Sequence, residues 1–305
     1  GVSPRPGIIG VRSEKESRKA RSRYRTCSPA EQARRGEGAA LSIEQIIVLA
    51  VVQGITEFLP ISSSGHLILI PALTHWPDQG QVVDVMTHLG TLFAILIYFW
   101  RDVGGMVQGG LKMLTGKVTP EGKLALYIVL ATIPAVAFGV FLKKMGYADL
   151  ERNVAVVAWN TILYGVLMLI ADRFGPQVKT VADVTLGSAL IIGVAQALAL
   201  IPGTSRSGVT MTAARFLGFT RPDSARFSFL LGIPATAGAI VFTVGDALES
   251  GQGITMDSII CAALTFVAGL GAIAFLMNVL KRVSFLPFVL YRMVLGGFLL
   301  VMLYS

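Results

Sequence analysis

Charge is scarce in this chain: 14% of its 305 residues are Asp, Glu, Lys or Arg, against roughly 25% in soluble domains. Hydrophobic residues make up 53%, which argues against a water-soluble fold and leaves lipid to face the apolar excess. Cysteine is nearly absent, and Cys27 with Cys261 gives no disulfide or metal framework. The net charge of +8 suggests nucleic acid only until it is divided along the chain, because residues 1–40 hold ten Lys/Arg and four Asp/Glu. The rest of the chain is close to neutral. With Arg18, Lys19, Arg21, Arg23 and Arg25 among Ser and Pro and no apolar stretch, the tail has the composition of disorder. A long polar run in place of a short charged start argues against a signal peptide.

Apolar runs over 84–100, 124–142, 154–171, 227–245, 258–280 and 285–304 are each long enough to cross a hydrocarbon core as a helix. Two further stretches are split. Residues 43–59 and 61–73 are divided by Pro60 and a Ser-rich turn, and 185–201 and 207–218 by Pro202 and a Gly/Ser/Arg turn. Polar turns at membrane depth are tolerated where they are buried in protein or line a watery cavity, so each pair is expected to form a re-entrant hairpin. The hairpins look duplicated: Pro60 and Pro202 are 142 residues apart, as are Leu89-Gly90 and Leu231-Gly232. Three crossings between the copies turn the second upside down. The expectation is an all-α integral membrane protein, an inverted repeat (about 41–171 and 184–305) with six transmembrane helices and two re-entrant helical hairpins.

Lys/Arg in the short loops set the orientation. Arg101, Lys112, Lys117, Lys123, Arg173, Lys179, Arg221, Arg226, Lys281 and Arg282 fall on one side, expected to be cytoplasmic, and Lys143, Lys144 and Arg152 on the other. Arg215, Arg221 and Arg226 read as boundary charges, and Trp76, Trp100 and Trp159 as interface anchors or packing. The tail conflicts with this orientation, since its cations would have to lie outside.

Ionisable groups at membrane depth point to function. The first turn brings Gln53 and Glu57, one helical turn apart, together with Ser62, Ser63, Ser64 and His66. The second brings Thr204, Ser205, Arg206, Ser207 and Thr210 around Gly203 and Gly208. An Arg among small residues with exposed amides at a half-helix start suits an anion. Each hydroxyl could equally be packing glue, and Arg206 could pair with Glu57 as a structural salt bridge. Asp84 and His88 could line the same pocket or sit at a helix mouth. Carboxylate, imidazole, hydroxyl and guanidinium together suit phosphoryl transfer, and a site within a bilayer suits a lipid phosphate.

The stretch Gln53-Gly-Ile-Thr-Glu57-Phe-Leu-Pro-Ile-Ser-Ser-Ser-Gly-His66 resembles the first signature of bacterial undecaprenyl-diphosphate phosphatases, the bacitracin-resistance family, and Pro202-Gly-Thr-Ser-Arg-Ser-Gly-Val-Thr210 resembles the second. The similarity runs from about Leu41 to the C-terminus. It implies hydrolysis of undecaprenyl diphosphate to the monophosphate carrier lipid for cell-wall synthesis, with bacitracin resistance, at the inner membrane and in a pocket open to the periplasm. It also implies a divalent cation, Mg²⁺ or Ca²⁺, held by Glu57 with Gln53. Glu57, Ser63, His66 and Arg206 are then catalytic, and Ser62, Ser64, Gly203, Ser205, Ser207 and Thr210 face the substrate phosphates. Gln53 brings one fewer charged oxygen than a Glu there, so Glu57 carries more of the metal work. The partners expected are the polyprenyl diphosphate lipid, the bilayer and a second copy in a homodimer, without nucleic acid. The competing reading is a polyprenyl-phosphate transporter or flippase, which needs the cavity and the cation but no nucleophile. Family members begin near the first apolar helix, so residues 1–40 are also open to being a mis-set gene start.

Overall fold

The computed structural model describes residues 41–74, 76, 79–145, 153–249 and 253–304. The basic tail and Arg152 lie outside the described residues. The described chain is helical: α1 (Ile43–Thr56), α2 (Ser63–Thr74), α3 (Gln81–Tyr98), α4 (Trp100–Leu114), α5 (Pro120–Lys144), α6 (Val154–Phe174), α7 (Leu186–Leu198), α8 (Arg206–Phe216), α9 (Arg221–Glu249), α10 (Met256–Val279) and α11 (Leu286–Tyr304). Six of these, α3, α5, α6, α9, α10 and α11, are long and apolar enough to cross a membrane, and they match the six runs expected. Large apolar side chains such as Phe93, Val129, Val267 and Val294 point outward. In water that surface would be untenable; in lipid it is the required one.

Helix starts follow local chemistry. Ser42 caps α1 by accepting from the Gln45 amide, and Thr185, 143 residues later, caps α7 with a reciprocal Ser188 bond. Thr119 caps α5 ahead of Pro120 at its first position. Between α6 and α7, the Thr180 backbone N–H and hydroxyl both donate to Asp183 and hold its carboxyl below the usual carboxylate range.

The two halves interlock. The hairpin helix α1 packs on α10 of the other half, and its counterpart α7 packs on α5 of the first; α3 meets both α9 and α10, and α6 lies along α11. The pairings are symmetric under one correspondence of helices: α1 answers to α7, α3 to α9, α5 to α10 and α6 to α11. Glycine permits the approach. A Cβ at Gly54 would stand 2.7 Å from the Ala268 Cβ, and one at Gly193 2.1 Å from the Ala131 carbonyl oxygen. Phe58, in the first turn, is fully buried and meets Phe229 edge to face with centroids 5.5 Å apart.

Two findings depart from the sequence reading. Residues 100–114 form α4, an amphipathic helix packed on α5, where a polar connection was expected. Its Gly104, Gly105, Gly109 and Gly110 interrupt the apolar periodicity, yet Gly109 is what lets α4 meet α5 at Gly122. Arg215 is no boundary charge. It is fully buried and donates to the Asp172 carboxylate and to the carbonyls of Asp172, Gly175, Pro176 and Phe219. Arg221 and the Phe285 amide share the same carboxylate, so α6, α8, α9 and the start of α11 are tied at one point. Arg226 pairs with Asp102 on α4.

Candidate active site

The site forms where the two broken helices turn. In each turn a serine precedes the second half-helix with positive φ, Ser62 at 75° and Ser205 at 69°, the two non-glycine residues of that kind among the described residues. This region is strained for an L-residue with a side chain, and such strain persists only where the surroundings enforce it. The Ser205 hydroxyl accepts from the Gly208 amide and caps α8. With Ser62 matched to Ser205, Ser63 corresponds to Arg206: the duplicated turn carries a hydroxyl in one copy and a guanidinium in the other.

The turns are joined by side chains. Arg206 Nη2 donates to Glu57 Oε1 at 2.9 Å, and the Ser207 hydroxyl reaches the Leu59 carbonyl at 3.3 Å. Glu57 divides its two oxygens, because Oε2 accepts from Gln53 Nε2 at 3.0 Å. The salt-bridge reading of Arg206 thus holds in this conformation. Arg206 still has capacity to spare: its Nη1 is buried without a hydrogen-bond partner, as are Gln53 Oε1 and the Thr204 hydroxyl. Buried polar atoms left unpaired are costly, and each one calls for an explanation. Arg206 lies against the backbone of Gly232 on α9, where an added Cβ would stand 1.7 Å from Nη1.

His66, on α2, uses both ring nitrogens. Nδ1 lies 2.8 Å from the Ser62 carbonyl, which only accepts, so Nδ1 carries the proton. In the neutral ring Nε2 is then an acceptor, and it meets the Tyr291 hydroxyl at 2.6 Å beneath a parallel stack of the two rings. Ser63 opens α2 and is half-buried, whereas Ser62 is fully enclosed. The Ser64 side chain lies outside the described residues.

The second-turn hydroxyls divide by role. Thr210 is fully buried and bonds the Arg206 carbonyl and the Ser228 hydroxyl of α9, at 2.7 and 2.6 Å. It packs α8 on α9 and does not face a cavity in this conformation. Ser205 caps its own turn, Ser207 reaches across to the Leu59 carbonyl of the other, and Gly203, with φ of 85°, lays the chain against Val157 of α6.

Three further residues belong to the site. His88 of α3 brings Nε2 within 3.4 Å of Gln53 Nε2 and 3.9 Å of Glu57 Oε2. Its spacing from Asp84 marks it in the sequence as a candidate lining group. Tyr291 and Arg292 carry no such mark, although an Arg inside an apolar span is itself a signal. Arg292 is fully buried, and every bond it makes goes to a carbonyl: Pro60 in one turn, Gly203 and Thr204 in the other, Asn160 and Thr161 on α6. One side chain therefore holds both turns.

Fold and site together define a multi-pass membrane protein with an Arg-centred polar site where two re-entrant turns meet. The chain belongs to the family described as Bacitracin resistance protein BacA, which it matches over residues 46–298. Among curated relatives, it is 50% identical over 278 residues to the undecaprenyl-diphosphatase of Erythrobacter litoralis, covering 84% of this chain and 98% of that one. It is 49% identical to the undecaprenyl-diphosphatase of Ruegeria pomeroyi and 47% to that of Jannaschia sp., in each case over 87% of this chain and the whole of the relative.

Proposed function

We propose that this protein is an undecaprenyl-diphosphate phosphatase, releasing inorganic phosphate and undecaprenyl phosphate and so recycling the carrier lipid of cell-wall synthesis, with bacitracin resistance as the consequence. The observation that carries the reading is the meeting of Glu57 and Arg206 from two separate turns, with Arg206 Nη1 buried and without a hydrogen-bond partner. Arg206 opens α8, so the amides of that first turn add to its attraction for an anion.

Hydrolysis needs a nucleophile in line with the terminal phosphorus. Either the Ser63 hydroxyl or a water supplies the oxygen, the phosphorus–oxygen bond to the inner phosphate breaks, and undecaprenyl phosphate leaves. His66 is oriented for the proton: the Ser62 carbonyl holds Nδ1–H and leaves Nε2 as the basic atom, which must part from the Tyr291 hydroxyl to act. If Ser63 attacks, a second, water-dependent step releases phosphate from it. Glu57 with Gln53 would hold a divalent cation, Mg²⁺ or Ca²⁺, and the unpaired Gln53 Oε1 fits that role. When bound, the ion supplies positive charge for the diphosphate oxygens.

The protein is assigned to the bacterial cytoplasmic membrane with the site facing the periplasm. Support comes from α3, where Asp84 and His88 lie towards the start while Arg101 follows the end, so the site opens away from the Lys/Arg-rich loops. Phosphate release from undecaprenyl diphosphate by the purified protein tests the function. Release that falls with chelator and in Glu57→Ala, His66→Ala and Arg206→Ala variants is expected; a wild type that transports the lipid without releasing phosphate would replace the enzyme with a carrier. Labelled phosphate trapped on the protein would indicate the covalent route, and its survival in Ser63→Ala would remove Ser63 as nucleophile.

A further inference from the structure

We propose that His88 is a metal ligand that completes the divalent-cation site with Glu57 and Gln53. The inference rests on the divalent-cation part of the function proposed above and adds a ligand residue to it.

Three donor groups converge from α1 and α3. Glu57 Oε2 and His88 Nε2 are 3.9 Å apart, and the Gln53 amide nitrogen sits between them, 3.0 Å from the oxygen and 3.4 Å from the ring nitrogen. An amide NH₂ only donates, so both atoms it touches present lone pairs. For His88, Nδ1 lies 2.7 Å from the Asp84 carbonyl, which only accepts, so Nδ1 carries a proton and in the neutral ring Nε2 is the lone-pair atom. A ring held through Nδ1 by a carbonyl, with Nε2 free to coordinate, is how metal-bound histidines are commonly oriented. Two donors 3.9 Å apart can share one ion, since ligand distances for N and O are about 2.0–2.2 Å. The NH₂ group of Gln53 thus stands in for a cation. Rotation of that amide about its last bond exchanges NH₂ for Oε1, the buried oxygen that has no partner in this conformation.

Among the described residues no three His, Cys, Asp or Glu side chains group as metal ligands, so the site depends on the amide as its third donor. This also answers the deficit noted in the sequence. Where Gln53 withholds a carboxylate, an imidazole is at hand as a further donor. The His88 side chain is 39% exposed and Glu57 only 9%, so an ion would arrive past the imidazole.

Electron paramagnetic resonance with Mn²⁺ as the probe, on the full chain in detergent, reads the ligand directly. Nitrogen modulation of the Mn²⁺ signal is expected in the wild type and in His66→Gln. In His88→Gln the modulation disappears and Mn²⁺ affinity drops by at least about tenfold. The double variant Gln53→Glu/His88→Gln regains Mn²⁺ binding without nitrogen modulation, which separates loss of a ligand from loss of the fold. Nitrogen modulation that persists in His88→Gln, Mn²⁺ bound by the wild type without it, or no Mn²⁺ bound at all would each overturn the assignment. Phosphate release on the same samples tells the failures apart: release without a nitrogen signal removes His88 alone, whereas absent release removes the phosphatase reading.

Discussion

Arg206 depends on the absence of a side chain opposite it. Because a Cβ at Gly232 would stand 1.7 Å from Nη1, Gly232→Ala must push the guanidinium aside. A displacement of about 1 Å in a catalytic group lowers rates on the order of 100-fold, so that loss is expected in phosphate release while the melting temperature in detergent changes little. Gly238→Ala on the same helix, with nothing within 4 Å of its added carbon, should leave the rate alone; equal losses in both variants would refute the dependence. Thr210 predicts the opposite pattern. Thr210→Val strands the Ser228 hydroxyl, and an unpaired buried polar group costs about 1–3 kcal/mol, so thermal unfolding should shift while KM does not. A raised KM with unchanged stability would return Thr210 to the phosphate. Glu57 and Arg206 were legible in the sequence because charge at membrane depth demands a reason. Thr210 was not, since its residue type is that of a ligand and only the packing of α8 on α9 shows which way its hydroxyl turns. His88 was half-legible from its spacing to Asp84, and Tyr291 became visible only when α11 met α2.

At the scale of elements, the broken helices were readable from Pro60, Pro202 and the small residues beside them, and the six spans from length and hydropathy alone. The amphipathic α4 escaped because four glycines disguise its period. What holds the turns together escaped for a different reason: Arg292 lies in an apolar run, and nothing in its neighbourhood names the five carbonyls it reaches from three other segments. Arg292→Lys keeps a cation but places its donors on one nitrogen, which cannot span those acceptors. The loss of several buried bonds should destabilise the protein by at least about 2 kcal/mol, seen as a lower melting temperature. Phosphate release should fall further than unfolding explains when assayed well below that temperature, because Gly203, Thr204 and Pro60 set the backbone that presents Ser63 and Arg206. If activity per folded molecule stays at the wild-type level, Arg292 is a structural residue and does not position the site.

Across the whole molecule the duplication has a consequence for folding. Each half holds the other's first hairpin helix: α1 lies on α10 and α7 on α5, with Gly54 and Gly193 giving the close approach. The site inherits the same division, since Glu57, Ser63 and His66 come from the first half and Arg206, Tyr291 and Arg292 from the second. A half expressed alone would leave an unsatisfied turn in lipid, where no water compensates backbone groups. Cutting the chain between Pro176 and Gln177 should therefore give two pieces, 1–176 and 177–305, that are each protease-sensitive and inactive in membranes. Expressed together, they should assemble, because the surfaces that α1 and α7 need lie on the opposite half, and phosphate release should return. Release from either half alone would mean that the opposite turn is dispensable, and with it the pairing of Glu57 and Arg206 on which the chemistry is built.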